Sequence, residues 1–361
     1  MSNLYSVIVG TGAYIPPVKV TNEDFLSNEF YEKDGSPVNK QNEEIIEKFK
    51  EITTIEERRY APDNMLTSDM ATVAAENALK QSGIDKETLD YIIVAHNFGD
   101  VKPDNKQVDI VPSLAARVKF NLKIENPFCV TYDVIFGCPG WLQGVIQADF
   151  YIRSGKAKRV MVIGSETLSR VTDPHDRDTM LYADGAGAVI LEQKESEEPV
   201  GILNHKTRSD TYEYSQMLSM DVSYKENYSS MTEYFLKMNG RRLYQYALST
   251  VPQAIKLCLD EANISITEIK KVLIHQANGK MDDAILKRLY HLYGIKEEDI
   301  PHDVMPMTVH WLGNSSVATL PTLLDLIMHD KLPPHKIEKG DKVVFASVGA
   351  GMNINAVVYR F

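Results

Sequence analysis

The chain has 361 residues, 43% of them apolar, enough to bury a substantial core as one large or two ordinary domains. Its formal net charge of −11 argues against non-specific nucleic-acid binding, which needs a basic surface to displace counterions from phosphates. No run of roughly eighteen apolar residues offers a membrane span, the amino-terminal residues lack the basic lead of a secretory signal, and three widely spaced cysteines suggest neither a disulfide framework nor a metal site.

A cytoplasmic protein with free thiols, no metal and no membrane partner is therefore expected. In chain order, the apolar run Leu4-Tyr5-Ser6-Val7-Ile8-Val9-Gly10 reads as a first strand. Apolar residues recurring at three and four predict a helix over 68–81, followed by a short acidic turn and the buried strand Tyr91-Ile92-Ile93-Val94-Ala95. A second extended run, Tyr132-Asp133-Val134-Ile135-Phe136, breaks at Gly137, and a helical pattern starts right after Cys138 and ends near Ser154-Gly155. The strand Arg159-Val160-Met161-Val162-Ile163-Gly164 follows, then Asp184-Gly185-Ala186-Gly187 leading into Ala188-Val189-Ile190-Leu191. That glycine-rich stretch precedes a strand and not a helix, so it reads as a structural turn and not as a phosphate loop.

The second half repeats the plan. A helix over 241–262 leads through Asn263-Ile264-Ser265 to Val272-Leu273-Ile274-His275, and Gly313-Asn314-Ser315-Ser316 opens a helix through His329. Lys342-Val343-Val344-Phe345-Ala346-Ser347 and the glycine-rich Gly349-Ala350-Gly351 then lead into a last strand. Two similar α/β halves, 1–197 and 198–361, packed face to face are the simplest architecture, with Cys138 and Asn314 at equivalent helix starts. Three polar segments fall outside the repeat, at 29–48, 97–111 and 209–240, and read as surface insertions that carry lids or partner contacts. Lys270, Lys271, Lys280, Lys287 and Arg288 form a candidate basic docking patch on an acidic whole.

Cys138 is the candidate nucleophile. A helix N-terminus favours the thiolate, and Gly137 and Gly140 let a substrate approach the backbone. Cys129, in a strand-like run, and Cys258, on a helical stretch, instead read as small buried hydrophobes.

Five motifs in order, Phe136-Gly137-Cys138-Pro139-Gly140, Asp173-Pro174-His175-Asp176-Arg177, Asp184-Gly185-Ala186-Gly187-Ala188, His275-Gln276-Ala277-Asn278 and Gly313-Asn314-Ser315-Ser316, make the chain resemble the β-ketoacyl-acyl-carrier-protein synthase III family. The resemblance runs from Gly10-Thr11-Gly12 to the carboxyl terminus and implies a thiolase-like αβαβα fold. It implies a Cys138, His275, Asn314 triad: Cys138 takes an acyl group from a thioester, and His275 and Asn314 stabilise the enolate formed when a malonyl thioester loses CO₂. It also implies a backbone oxyanion hole at Cys138 and Ala350, acyl carrier protein as partner, a homodimer, and no cofactor beyond the phosphopantetheine that the substrates carry.

Substrate contacts carry over less evenly. Arg177 matches a family arginine at the nucleotide end, Lys280 stands where the family has a carrier-docking arginine, and Lys48 occupies the position of a tryptophan that stacks on adenine. Val111 replaces a phenylalanine that reaches across the dimer to close the partner's acyl pocket, so a primer longer than acetyl, delivered on a carrier protein, is expected. Three alternatives remain open: a specialised-metabolism ketosynthase or acyltransferase that joins the acyl group to a β-ketoacyl thioester or another nucleophile, a Cys-His-Asn thiol hydrolase, and a non-catalytic ketosynthase-like subunit. A Claisen enzyme of the hydroxymethylglutaryl type would need a glutamate base near Cys138, and the sequence alone identifies none.

Overall fold

In the computed structural model, which describes residues 3–228 and 233–361, the first half builds one five-stranded sheet. Its strands are β1 (Asn3–Tyr14), β2 (Tyr91–Ala95), β3 (Val130–Val134), β4 (Arg159–Thr167) and β5 (Asp184–Ser196), ordered β1-β5-β4-β2-β3. β2 is parallel to both β3 and β4, and β5 runs antiparallel to β4 and β1. Parallel strands covered on both faces need continuous apolar runs, which Ile92-Ile93-Val94-Ala95 supplies. The helices of this half are α1 (Asn42–Thr53), α2 (Thr67–Ser82), α3 (Leu114–Asn121) and α4 (Gly140–Arg153). Ala71, Ala74, Ala75 and Ala78 give α2 a smooth buried face, and β1 lies so close that a Cβ on Gly12 would stand 2.4 Å from the Ala78 amide nitrogen.

The second half has β6 (Gly201–Ser209), β7 (Ile269–Ile274), β8 (Lys342–Gly349) and β9 (Asn353–Arg360), ordered β6-β9-β8-β7, with α5 (Gly240–Glu261), α6 (Gly279–His291) and α7 (Thr319–Met328). β7 and β8 are parallel, and β9 is antiparallel to β8 and β6, so the strand plan matches that of β2, β4, β5 and β1. No counterpart of β3 occurs among the described residues. Beside β7 the chain is irregular, and the Val272 amide donates to the Val304 carbonyl at 2.8 Å.

One apolar cluster joins the two sheets through α4 and α7, bringing Ile93, Val162 and Val189 together with Trp141, Leu323, Phe345 and Val357. α2 and α3 cover the outer face of the first sheet, α5 and α6 that of the second. The result is five layers, αβαβα.

The polar insertions are more ordered than their composition suggests. Residues 97–111 contain a hairpin, Asp100–Lys102 with Asn105–Asp109, held by Arg117 of α3 at 2.7 Å from Asp100 and 2.6 Å from Asp109. Residues 29–48 run into the first turns of α1. Residues 209–240 form a short helix, Thr211–Tyr214, and a hairpin of Leu218–Asp221 with Phe235–Met238, with 229–232 outside the described residues. The buried Lys237 anchors this hairpin to Asp173 at 2.5 Å and Asp176 at 3.2 Å. The predicted helix after Asn314 begins as a 3-10 turn, Ser316–Ala318, before α7. No helix of the described residues is long and apolar enough to cross a membrane.

Candidate active site

β3 delivers the chain to a turn where Gly137 has φ +66, a conformation only glycine adopts freely. Cys138 follows, and Pro139 precedes the first residue of α4. Pro139 has no amide hydrogen to lose at a helix start, so the turn ends and the helix begins within three residues. The thiol opens on a cavity of about 630 Å³.

His275 is reached from the other sheet, one residue past the end of β7, where its amide donates to the Ala346 carbonyl at 2.9 Å. The next side chain, Gln276, fixes the turn: its carbonyl accepts from the amides of Thr308 at 2.6 Å and Val309 at 3.0 Å, and its nitrogen donates to the Pro306 carbonyl at 2.7 Å. His275 Nδ1 is buried without a partner, and burial pushes the imidazole down to about 4. It is neutral at physiological pH, with one N–H to donate.

Asn314 follows Gly313, which has φ +68. Its amide donates to the Leu181 carbonyl and its carbonyl accepts from Ala183, both at 2.9 Å, tying it to the edge of the first half. The side-chain Oδ1 accepts from the Ser316 amide at 2.9 Å, so the Nδ2 end is left for a ligand.

Cys138, His275, Asn314 and the Gly349-Ala350 backbone thus share one cavity wall. The Cys138 amide has no backbone acceptor among the described residues, and Ala350 lies beside the same turn. Elsewhere the wall is mostly apolar, with Phe49 and Ile52 from α1, Phe98, and Leu218, Leu236 and Met238 from the 209–240 hairpin.

Two family models match the chain: 3-oxoacyl-[acyl-carrier-protein] synthase III over residues 132–211, and the C-terminal part of the same synthase over residues 259–361. Together they span just over half of it, including Cys138, His275 and Asn314. The chain belongs to the 3-oxoacyl-ACP synthase III family. It is a condensing acyltransferase of the thiolase fold. The 3-oxoacyl-ACP synthase III structure from Aquifex aeolicus is 28% identical, with 99% of this chain and 100% of that chain covered and a TM-score of 0.77. The Thermus thermophilus enzyme is 28% identical, with 98% and 99% covered and a TM-score of 0.79. A priming β-ketosynthase from a polyketide biosynthetic pathway, 24% identical with 99% and 96% covered and a TM-score of 0.79, shares the fold.

Within this synthase III chain, the expectation of a thiolate made easy by the helix terminus needs correction. Burial pushes the Cys138 thiol up to about 11, and the hydrogen bond from Ser316 opposes that rise. Sequence reasoning also missed a buried polar chain behind the sulfur. Ser316 Oγ lies 3.3 Å from Cys138 Sγ, Asn97 Nδ2 lies 3.2 Å from Ser316 Oγ, and the same Nδ2 donates to Glu166 at 2.7 Å. Glu166, on β4, is therefore a glutamate close behind Cys138, pushed up to about 7 mainly by burial. A signal was present: Ser165-Glu166 is a polar pair ending an otherwise apolar strand. Asp178 also lines the cavity, its carboxyl raised by burial and by the neighbouring Asp176.

The remaining expected residues lie outside the cavity wall. Arg177 pairs with Glu32 of the 29–48 insertion at 2.8 Å. Lys48 is exposed on α1 and pairs with Glu51 at 2.8 Å. Lys280 is exposed in the first turn of α6, next to Asn278 and Met281 of the wall. Val111 is 83% exposed. The basic patch does not form as expected: Lys271 is buried against Asp303 at 2.8 Å, and Lys287 pairs with Asp283 and Glu297. A bulge in β7 between Ile269 and Lys271 leaves Lys270 facing out while Lys271 packs inward.

Proposed function

We propose that the protein performs the priming condensation of fatty-acid assembly, joining an acyl thioester to malonyl acyl carrier protein to give a 3-oxoacyl acyl carrier protein. The observation that carries this reading is the convergence of Cys138, His275, Asn314 and the Ala350 backbone on one largely apolar cavity. The Cys138 sulfur attacks the donor's carbonyl, the developing oxyanion accepts from the Cys138 and Ala350 amides, and the donor thiol leaves with a proton. Malonyl thioester then binds with its carbonyl oxygen toward His275 and Asn314. Its carbon–carboxylate bond breaks, CO₂ departs, and the enolate oxygen accepts hydrogen bonds from the imidazole N–H and Asn314 Nδ2. The enolate carbon attacks the acyl carbonyl and the Cys138 thiolate leaves.

A neutral His275 suits this role, because decarboxylation supplies the carbanion and the imidazole has only to donate a hydrogen bond. The phosphopantetheine arm arrives as part of each substrate, so no separate cofactor or metal is invoked. Lys48 in place of a stacking aromatic favours a carrier-protein donor, and Lys280 beside the cavity is a docking cation for the acidic carrier. The exposed Phe128, Val130 and Ile135 along β3, the edge of the first sheet, support a homodimer formed through that edge. Val111 would then act on the partner's acyl pocket. Three free cysteines suit a reducing cytoplasm.

A second reading, a specialised-metabolism synthase that uses a longer acyl donor and another acceptor, is favoured by Lys48 and by the apolar wall. A thiol hydrolase does not fit the αβαβα layering, and a non-catalytic subunit does not explain the convergent triad. Intact-protein mass spectrometry after exposure to acyl-carrier and coenzyme A thioesters tests the reading. A mass gain lost in Cys138→Ala is expected, and no gain with any donor sinks the acyl-enzyme mechanism.

A further inference from the structure

The triad leaves unexplained how a desolvated thiol is made nucleophilic. His275 is neutral, and the one cation lining the cavity among the described residues, Arg241, is not a hydrogen-bond partner of the Cys138 sulfur. The group that does touch the sulfur is the Ser316 hydroxyl, at 3.3 Å. Ser316 holds φ +52, which a non-glycine residue rarely adopts, and the Asn314 side chain grips its amide at 2.9 Å. An unusual backbone conformation is thus retained where it aims a hydroxyl at Sγ.

The hydrogen bonds behind Ser316 have a direction. Glu166 presents acceptor oxygens to Asn97 and takes the backbone amide at 3.0 Å and the side-chain Nδ2 at 2.7 Å. That fixes which end of the Asn97 amide is nitrogen. The second Nδ2 hydrogen is directed at Ser316 Oγ, 3.2 Å away. With its oxygen accepting from Asn97, the serine has its own hydrogen free for the sulfur. With Glu166 ionised, as it is above about pH 7, every donor in the chain follows from the carboxylate at its far end, and the last of them points at Cys138.

We propose that Ser316 is a catalytic hydrogen-bond donor to the Cys138 thiolate, and that Asn97 and Glu166 are positioning residues that set the direction of its hydroxyl. The thiolate accepts from Ser316 while the thiol gains little from it, so the contact favours the reactive form. The same donor eases departure of the sulfur after carbon–carbon bond formation. The Asn97 amide cannot pass a proton along, so Glu166 acts by orientation and not as a base on the thiol.

The inference rests on Cys138 being the nucleophile, and its test is kept separate from acyl transfer. The alkylation rate of Cys138 by iodoacetamide is followed by intact mass across neutral and alkaline pH, with Cys138→Ala reporting any background from Cys129 and Cys258. Ser316→Ala is expected to move the midpoint up by about one pH unit and to slow alkylation at neutral pH roughly tenfold. Ser316→Gly removes the hydroxyl while suiting the positive φ, so a purely structural serine predicts wild-type behaviour, whereas the same upward shift is expected here. Asn97→Ala and Glu166→Gln should shift the midpoint in the same direction by less. Wild-type midpoints in both Ser316 variants overturn the donor role, and a wild-type midpoint in Glu166→Gln overturns its positioning role. Normal alkylation in a wild-type protein that never takes an acyl group would instead defeat the condensation reading and leave this one standing.

Discussion

Gly137 and Ala350 approach so closely that a Cβ on the glycine would stand 2.5 Å from the alanine's amide nitrogen. The contact joins the turn after β3 in the first half to the connection between β8 and β9 in the second. Its reciprocal is equally tight, since a Cβ on Gly349 would lie 2.4 Å from the Cys138 nitrogen. Two backbones at this distance bring the Cys138 and Ala350 amides to one place, as an oxyanion needs. Gly137→Ala adds both a backbone clash and strain at φ +66, costing roughly 1–3 kcal/mol of stability. Acylation of Cys138 should fall by about 10² or more as the amides are pushed apart. Intact-mass kinetics alongside thermal unfolding measures both, and near-wild-type acylation in a folded variant would show that these amides do not hold the oxyanion.

His275 makes stability depend on acid. Its folded value of about 4 lies below the ordinary 6.5, so below that pH the unfolded chain binds the extra proton. The contribution of this residue is fully present above about 6.5 and is lost as pH falls toward about 4. Denaturant titrations of the wild type and His275→Gln should therefore converge as the medium is acidified through this window. A His275 imidazole resonance that titrates near 6.5 would show that the ring is not desolvated.

The site was legible to different depths, for physical reasons. The Gly137-Cys138 turn is a local event, a strand pattern giving way to a helix pattern at a glycine, and such switches stand out in one dimension. Ser316, Asn97 and Glu166 come from three distant segments and meet only through tertiary packing, so no spacing announces them. Glu166 in particular reads as a strand end until burial is known. Lys271 misled because adjacent Lys270 and Lys271 look like one charged surface, while a bulge at Lys270 leaves the first outside and the second packed against Asp303. The repeat of β2, β4 and β5 in β7, β8 and β9 was visible because buried strands must be apolar runs, whereas β6 is largely polar and matches β1 only by its place in the sheet. The hairpin in 97–111 was not, because its Asn105–Asp109 strand lies largely at the surface and carries polar residues.

Asn314 should separate the two half-reactions. Its Nδ2 is assigned to the enolate and not to the acyl oxyanion, and its Oδ1 is already held by Ser316. Asn314→Ala is expected still to acylate Cys138, slowed by no more than about tenfold through the lost hold on Ser316, while malonyl decarboxylation drops by about 10² to 10³. Carbon dioxide release from malonyl carrier, compared with mass gain from acyl donor, distinguishes the steps. Loss of acylation with decarboxylation intact would reverse the assignment.

The edge of the first sheet should be where two copies meet. Among the described residues β3 has a neighbour only on the β2 side, and Phe128 at 83% and Ile135 at 64% exposed flank it. An apolar edge strand open to water is a template for pairing. Ile135→Asp places a charge beside that edge, and light scattering should show a shift from dimer to monomer with the helical signal unchanged. A wild-type protein that is monomeric at working concentrations would remove this interface.

A preference for longer primers is expected from the same proposed dimer. Val111 is exposed and absent from the cavity lining of its own chain, so its effect on an acyl pocket is expected only across the proposed dimer. A valine where the resemblance places a phenylalanine is expected to leave room for more methylenes, each worth about 0.8 kcal/mol when buried. Single-turnover acylation should therefore be faster with octanoyl than with acetyl donor, by about tenfold or more if only two of the added methylenes are fully buried. Val111→Phe should erase most of that preference while leaving acetyl transfer near its original rate, because the ring fills space that a two-carbon primer never reaches. Equal rates for acetyl and octanoyl in the wild type would mean that the added carbons find no apolar wall, and Val111 would then have no part in selecting the primer.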